Sequence, residues 1–362
     1  MRNSAPSAIS RKNHPLPRIL SGHGHKYDDH LAPVLYPLTF HPIFKERIWG
    51  GRNLAKLFGK DLPPDKRIGE SWEITDRPGG VSVIAQGPLA GQSLRWLMET
   101  KAEELLGRGP ASDGRFPLLI KILDATATLS LQVHPPASVA AHLGGEPKTE
   151  MWYIADARPG AELFVGLKRG VTRQEFEQRI ANGTVADCFH RIQVRRGDAM
   201  FLPSGRVHAI GQGLVIFEIQ QNSDTTYRVF DWNRLGDDGR PRDLHVAESL
   251  ASIDFADFEP ALVTAEFSGN QLRKRFLVAG PLFGVEECEC AAATRCCVPN
   301  REMLILGVLS GKLRIEHEGS RIELDPGGFS LIPASVQEFV LEADAPARFL
   351  QARLAPDWKA NR

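Results

Sequence analysis

Residues 197–208 read Gly197-Asp-Ala-Met-Phe-Leu-Pro203-Ser-Gly205-Arg-Val-His208, a tight glycine and proline turn placed directly before a histidine. Glycine reaches backbone angles that are closed to other residues, and proline fixes its own φ, so both favour turns. A turn of this kind is typical of a jelly-roll β-barrel, where it directs one side chain of the next strand inward. The stretch therefore predicts a barrel with His208 on its inner face.

A second polar pattern lies upstream, in Ser130-Leu-Gln132-Val-His134. Side chains alternate between two faces along a β-strand, so Ser130, Gln132 and His134 share one face. Glu150 follows at the start of another apolar run. Two imidazoles, a carboxylate and an amide oxygen suit a divalent metal with positions left open for water or substrate. Either pattern alone is more often an ordinary strand, and it is their combination that favours a metal, for which zinc, iron, manganese and nickel all fit.

The composition is that of an ordinary globular protein, with 362 residues, 42% hydrophobic and 24% charged. Lys+Arg and Asp+Glu both number 44, so net charge gives no general reason to bind nucleic acid or an anionic membrane. The sequence contains no run of 18 apolar residues, so no transmembrane helix is predicted. The N-terminal residues lack the apolar core of a secretory signal. Five cysteines, an odd number, favour a reducing compartment over a disulfide framework. We therefore expect a cytoplasmic protein.

Short apolar runs separated by turn residues predict a mainly β fold of two jelly-roll barrels with a few inserted helices. A weak internal repeat supports two barrels, because Glu150 and Glu302 each precede an apolar run and each is followed by a Gly-x5-Pro turn. The second copy has Glu338 where the first has His208, and its cysteines have the spacing of packed thiols rather than of a zinc site. The predicted division is a disordered extension at 1–34, a metal-binding domain at 35–258 with helical insertions at about 94–107 and 169–193, and a degenerate metal-free barrel at 259–362.

Several longer motifs stand in a fixed order along the chain. They are Gly69-Glu-Ser-Trp-Glu73, Pro117-Leu-Leu-Ile-Lys-Ile-Leu-Asp124, Leu131-Gln-Val-His-Pro135, Lys148-Thr-Glu-Met-Trp-Tyr153, Gly205-Arg-Val-His-Ala-Ile-Gly211 and Glu218-Ile-Gln-Gln-Asn-Ser-Asp-Thr-Thr-Tyr-Arg-Val-Phe-Asp-Trp-Asn-Arg234. Together they resemble the type I phosphomannose isomerase family in its short bacterial form, on a cupin scaffold. The resemblance is strong over roughly 36–234 and weak beyond.

The resemblance implies an aldose–ketose isomerase that interconverts mannose 6-phosphate and fructose 6-phosphate through a cis-enediol or enediolate, with one Zn²⁺ per chain. It implies the zinc ligands Gln132, His134, Glu150 and His208. It also implies that Arg228 is the active-site arginine and that the pocket is lined by Ser130, Lys148, Asp224 and Arg234, with Trp49 and Glu70 nearer the mouth. The family more often has Thr or Ala at the position of Arg206, so we expect Arg206 to alter the pocket rim.

Isomerisation of a sugar phosphate requires cations that bind the phosphate at a distance from the metal. Arg228 and Arg234 are six residues apart and lie on one side if the segment stays extended. On spacing alone, a salt bridge from Arg228 to Asp224 or Asp231 is the simpler interpretation, which the family resemblance reverses.

The residue that moves the proton is left open between Lys148, Glu70, Asp224 and a hydroxide on the metal. Lys148 lies two residues before Glu150, so in a strand it shares the metal-facing side. A zinc ion beside it should lower its pKa and help it to shuttle protons.

Two other functions fit the same ligands. An oxygen-using cupin would hold iron there and consume oxygen, and a sugar-phosphate-binding cupin without catalysis would bind its ligand without turnover. The substrate range beyond mannose 6-phosphate and the oligomeric state are not readable from the sequence.

Overall fold

The computed structural model describes residues 34–107, 113–236 and 239–356. The predicted N-terminal extension, apart from Val34, lies outside these ranges, so the expectation of disorder there stays a prediction. Within them no helix has the length and apolar character needed to span a membrane.

The described chain is built mainly from antiparallel strands, as predicted. The N-terminal half contains β1 (Ile43–Gly51), β2 (Ile68–Ile74), β3 (Asp76–Arg77), β4 (Gly80–Val81), β5 (Leu118–Ala125), β6 (Leu131–Val133), β7 (Glu150–Ala157), β8 (Glu162–Leu167), β9 (Phe189–Gln193), β10 (Ala199–Leu202), β11 (His208–Ile210), β12 (Leu214–Gln221) and β13 (Tyr227–Phe230). The C-terminal half contains β14 (Leu272–Ala279), β15 (Phe283–Cys290), β16 (Thr294–Pro299), β17 (Leu304–Ser310), β18 (Leu313–His317), β19 (Ser320–Leu324), β20 (Phe329–Ile332), β21 (Glu338–Ala343) and β22 (Ala347–Leu354). The helices are α1 (Asn53–Phe58), α2 (Leu94–Thr100), α3 (Ala102–Leu106), α4 (Ala137–Ala140), α5 (Arg173–Ala181) and α6 (Val246–Ser252).

Apart from β1 and β13, the two halves repeat the same strand order. The N-terminal half has sheets of order β1-β2-β5-β12-β7-β10 and β13-β6-β11-β8-β9, and the C-terminal half has sheets of order β14-β15-β22-β17-β20 and β16-β21-β18-β19. His208 begins β11 and Glu338 begins the equivalent strand β21, where its side chain is exposed. The repeat therefore preserves the scaffold and changes the side chain that the turn presents. The domain boundary at 258 and 259 stays a prediction.

Separate apolar clusters hold the layers together. One cluster, which includes Trp152 and Ile210, lies between the two sheets of the N-terminal half. A second fills the C-terminal half and takes in Cys288 and Cys290, which are packed free thiols as predicted, whereas Cys296 is half-buried and Cys297 is exposed. The largest cluster joins the six-stranded sheet to the sheet that contains β17 and β22.

Helices lie in both predicted insertions, and the second is shorter than expected. The first contains α2 and α3. The second begins as predicted, because the Thr172 hydroxyl accepts a hydrogen bond from the amide of Glu175 and caps α5. It does not stay helical to residue 193, since residues 189–193 form β9. The side chain of Phe189 is buried in an apolar cluster and β9 pairs with β8, a tertiary contact that overrides local helix preference.

Candidate metal centre and cleft

Three strands bring the predicted ligands together. On β6, Gln132 lies directly opposite His208 of β11, and directly paired residues share one face of a sheet. Glu150 enters from β7 in the facing sheet. Its two carboxylate oxygens lie 3.7 Å from Nε2 of His134 and 3.4 Å from Nε2 of His208. The amide nitrogen of Gln132 lies 3.2 Å from Nε2 of His208.

Main-chain carbonyls set the orientation of both imidazoles. Nδ1 of His134 lies 2.7 Å from the carbonyl oxygen of Thr225, and Nδ1 of His208 lies 2.9 Å from that of Arg206. A carbonyl only accepts, so each Nδ1 is the protonated nitrogen and donates to it. Each Nε2 then carries its lone pair toward Glu150, as metal-ligating histidines do.

The electrostatics keep these side chains in ligand form. Burial and the charge of Lys148 lower the pKa of His134 to about 4, and burial also lowers the pKa of His208. Burial alone would raise the pKa of Glu150, but the Lys148 ammonium and the two imidazoles hold it well below its ordinary value. The site therefore combines two neutral imidazoles with an ionised carboxylate.

The residues fit a divalent cation. Nε2 of His134 and both carboxylate oxygens of Glu150 are buried without a hydrogen-bond partner, although the Lys148 ammonium lies 3.0 Å from Oε2 of Glu150. Buried polar atoms without partners are costly, and a cation among them removes the cost. Among the histidine, cysteine, aspartate and glutamate side chains of the described part of the chain, one group has its ligand atoms all within 4.8 Å of one another. It consists of His134, Glu150 and His208. Gln132 completes the set when its amide turns its oxygen toward the centre, a rotation that exchanges two nearly isosteric groups.

A cleft of about 410 Å³ opens above this centre, a volume that suits a small sugar phosphate. Its wall includes seven side chains predicted for the site, namely Trp49, Glu70, Ser130, Gln132, Lys148, Asp224 and Arg228. The buried ligands meet the cleft through Gln132, beside His208, and through Lys148, beside Glu150.

Four charged residues of the cleft were missed by the sequence analysis: Arg47, Lys121, Glu218 and Arg242. Glu218 pairs in register with Lys121 on one side and with Trp152 on the other, so the three share one face of the sheet. The Lys121 ammonium lies 3.3 Å from the Glu218 carboxylate, which also accepts a 2.9 Å hydrogen bond from the Trp152 indole. The available signal was a lone charge within an apolar strand, which is rarely buried unless it is paired.

Lys148 lies among carboxylates. Burial alone would lower the pKa of Lys148, but the charges of Glu150 and Glu218 raise it above its ordinary value. The lowering expected beside zinc concerns the metal-loaded site and stays a prediction.

Glu70 is held as a carboxylate. Burial alone would raise the pKa of Glu70, but Lys121 and Arg47, with a hydrogen bond from the Trp72 indole, lower it to about 2. The Arg47 guanidinium lies 2.7 Å from one Glu70 oxygen, and the indole nitrogen of Trp72 lies 2.7 Å from the other. A carboxylate stabilised in this way is a weak base.

The two arginines of the predicted phosphate site are separated by the backbone. Arg228 lies on β13, directly opposite Gln132, and forms no ion pair with Asp224, Asp231 or another carboxylate of the described chain. Arg234 is not part of the cleft wall, since its guanidinium donates to Asp231 and to the carbonyl of Thr128. The assumption of an extended segment was wrong, because the chain turns at Trp232 and Asn233, whose φ angles are 56° and 52°.

Arg206 does not reach the cleft rim, contrary to expectation. Its guanidinium forms two 2.7–2.8 Å hydrogen bonds with the carboxylate of Asp257 and a 2.7 Å bond with the carbonyl of Phe201. A two-pronged arginine–carboxylate pair of this kind fixes the side chain. Arg206 therefore braces the turn before His208 and is not part of the cleft wall.

Comparison with known proteins agrees with this geometry. A family model described as phosphomannose isomerase type I, catalytic domain, matches residues 38–163. A probable mannose-6-phosphate isomerase of Bacillus subtilis is 37% identical over 313 residues, which cover 85% of this chain and 97% of the relative. A mannose-6-phosphate isomerase of Streptococcus mutans is 37% identical over 310 residues, covering 85% and 96%. The crystal structure of the mannose 6-phosphate isomerase from Bacillus subtilis has a TM-score of 0.80 at 31% identity and covers 88% of this chain and 100% of that one. The chain therefore belongs to the type I phosphomannose isomerase family.

Proposed function

We propose that this chain interconverts mannose 6-phosphate and fructose 6-phosphate through a cis-enediol or enediolate, with one Zn²⁺ per chain. The observation that carries the proposal is the convergence of His134, Glu150 and His208 beneath a charged cleft of sugar-phosphate size. Family membership supplies the substrate pair.

The donor set favours zinc. Two neutral imidazole nitrogens and a carboxylate, with an amide oxygen as the fourth ligand, are groups that a borderline-soft divalent ion accepts. When bound, the ion would supply Lewis-acid stabilisation of the oxygen that gains negative charge as a proton leaves the neighbouring carbon.

The chain's own residues orient the sugar and hold its charges. Gln132 and Arg228 lie side by side on β6 and β13, so the reacting end and the rest of the sugar bind along one face. The guanidinium of Arg228 steadies the enediolate or the phosphate by charge-assisted hydrogen bonds. Ser130, Asp224 and Trp49 form the wall against which the sugar hydroxyls are placed.

Of the side chains first considered for proton transfer, we favour Lys148 and Asp224. Glu70 is disfavoured because a base with a pKa of about 2 gains little by taking a proton near neutrality. Lys148 lies beside Glu150 at the base of the cleft, where it can hold or return a proton at the sugar carbons.

A cytoplasmic location is part of the same proposal, since all five cysteines are free. The partner is a small sugar phosphate. The zero net charge gives no electrostatic reason for binding nucleic acid or a membrane.

A coupled assay for fructose 6-phosphate tests the proposal. The zinc-loaded protein should convert mannose 6-phosphate, lose the activity on chelation, and regain it with Zn²⁺. His208→Ala should also lower metal affinity by more than about 100-fold, since even changes behind a ligand cost 10–100-fold. The matched control is His142→Ala, at an exposed histidine that should keep metal and activity.

No fructose 6-phosphate from fully zinc-loaded wild-type protein would overturn the proposal. Oxygen consumption that depends on ferrous iron would instead support the oxygen-using alternative.

A further inference from the structure

The chain returns to β13 after its turn and brings a second arginine to the cleft. The amide of His245 donates to the carbonyl of Arg228 at 2.8 Å, and the amide of Arg228 donates to Nδ1 of His245 at 3.2 Å. The Arg228 guanidinium donates to the carbonyl of Asp243 at 2.8 Å. Arg242, next to Asp243, therefore joins Arg228 in the cleft wall.

A buried carboxylate fixes the direction of Arg242. Asp231 is 5% exposed and accepts from Nε of Arg242 at 2.7 Å through one oxygen and from Nη2 at 2.5 Å through the other. Two parallel hydrogen bonds hold the plane of the guanidinium. Its third nitrogen, Nη1, is left out of this pair.

Positive charge exceeds negative charge at this end of the cleft. Three guanidiniums, those of Arg228, Arg234 and Arg242, face two carboxylates, those of Asp231, which bonds Arg234 and Arg242, and of Asp243, whose charge acts on Arg228. Nε of Arg228 is buried without a hydrogen-bond partner. Burial, and after it the charge of Arg242, lower the pKa of Arg228, so part of this shift comes from repulsion between the two cations. A dianion placed between Arg228 and Arg242 would relieve it.

The other acidic groups of the cleft act on its metal-binding end, where the charge of Asp224 acts on Lys148. Glu150 lies in the metal centre, and Glu70 and Glu218 line the cleft in ion pairs with Arg47 and Lys121. The cleft is therefore divided between a metal-binding end and a cationic end.

We propose that Arg242, held by Asp231, is a phosphate-binding residue of this cleft and acts with Arg228 in the place that residue spacing gave to Arg234. This inference rests on the proposed function for the identity of the substrate. Arg242 would bind the phosphate directly, and Asp231 is a positioning residue.

Calorimetric binding to the zinc-loaded protein, without turnover, tests the assignment. The probes are sorbitol 6-phosphate and sorbitol, which differ only in the phosphate. Arg242→Gln should lower the affinity for sorbitol 6-phosphate by about tenfold or more, because hydrogen bonds between charged groups are strong. It should leave the affinity for sorbitol unchanged. The control Arg196→Gln, on an exposed turn, should bind both probes as the wild type does.

Two further variants distinguish a binding role from a structural one. Asp231→Asn keeps the shape but removes the charge that holds Arg242, so it should also weaken the phosphorylated probe. Arg242→Lys should recover part of the affinity, as a point charge replaces a fork. In steady-state assays, Arg242→Gln should raise KM for mannose 6-phosphate several-fold while kcat stays within about twofold.

The assignment would be overturned if Arg242→Gln and the wild type bound sorbitol 6-phosphate with equal affinity. It would also be overturned if Arg234→Gln lost more of this affinity than Arg242→Gln. If the wild type binds the phosphorylated probe but never forms fructose 6-phosphate, the proposed function fails while this inference stands.

Discussion

At the scale of single residues, the ionisation of Glu70 separates two roles that a cleft carboxylate can play. It lies within reach of Arg47, Lys121 and the Trp72 indole, and these groups stabilise its charged form. The Glu70 carboxylate therefore positions the cations and the indole around the cleft.

This role predicts the pH behaviour of Glu70→Gln. The wild-type carboxylate, with a pKa of about 2, stays ionised through the acid range in which an ordinary glutamate, near 4.3, takes a proton. The stability that it contributes is present above pH 4.3 and is lost as pH falls toward 2. The variant should therefore lose kcat/KM by a similar factor at every pH from 5 to 9, with an unchanged acid limb.

A pH–rate profile of kcat/KM for wild type and variant checks this. An acid limb that disappears in Glu70→Gln would show that Glu70 is the titrating base. Glu70→Asp is the companion variant, since it keeps the charge and shortens the reach.

At the scale of elements, the helix after Thr172 depends on its first hydrogen bond. The Thr172 hydroxyl accepts from the Glu175 amide at 3.1 Å, and Phe176 is the buried residue of α5. Thr172→Ala should cost about 1 kcal/mol of unfolding free energy.

Chemical denaturation followed by circular dichroism measures this cost. Thr172→Ser keeps the acceptor and should behave as the wild type. Because α5 is outside the cleft wall, kcat should stay unchanged in both variants. An equal loss in the serine variant would assign the effect to the threonine methyl group instead of the cap.

The metal-binding strands were readable because their pattern is local. The alternation of Ser130, Gln132 and His134 has the period of a strand, and β6 places Leu131 and Val133 in the opposite apolar cluster. Lys121 and Glu218 were missed because β5 and β12 are buried on both faces, which makes them appear as continuous apolar runs. Family motifs supplied the rest of the site.

The misplacement of Arg234 has a different cause. Its position depends on two consecutive residues with positive φ, a conformation that nothing in Asp-Trp-Asn-Arg announces apart from the asparagine. Arg242 lies beyond that turn, so its approach to Arg228 follows from tertiary pairing. Residue spacing could not supply either position.

At the scale of the whole molecule, a buried ion cluster joins the two halves. Glu287 of β15 is 0% exposed and accepts a 2.9 Å hydrogen bond from the Tyr153 hydroxyl of β7. Arg275 and Arg348 lie 2.5 Å and 2.6 Å from its oxygens, and Arg275 also donates to the carbonyl of Gly197. One carboxylate thus ties both halves at the level of the metal-bearing strand.

Replacing this carboxylate should destabilise the protein without changing the reaction. Glu287→Ala removes the carboxylate partner of Arg275 and one of the two carboxylate partners of Arg348. We expect a loss of about 3 kcal/mol, the low end for a broken buried pair, because Arg348 keeps Glu289 and is 40% exposed. Thermal and denaturant unfolding measure the loss. KM for mannose 6-phosphate should stay within about twofold, since Glu287 is outside the cleft wall.

The matched variant is Glu289→Ala, at a neighbouring carboxylate that pairs with Arg273 and Arg348 but is more exposed. It should cost less than about 1 kcal/mol. Equal costs for both variants would contradict the importance given to the buried cluster.

The strand β7 contributes one face to the metal centre and the other to the contact between the two halves. On one side it offers Glu150 to the cation, and on the other Tyr153 supports the C-terminal half. Whatever occupies the centre favours the folded form alone, so its binding energy resists melting of the entire chain. The C-terminal half, which donates no ligand, thereby gains heat tolerance from an ion it never touches.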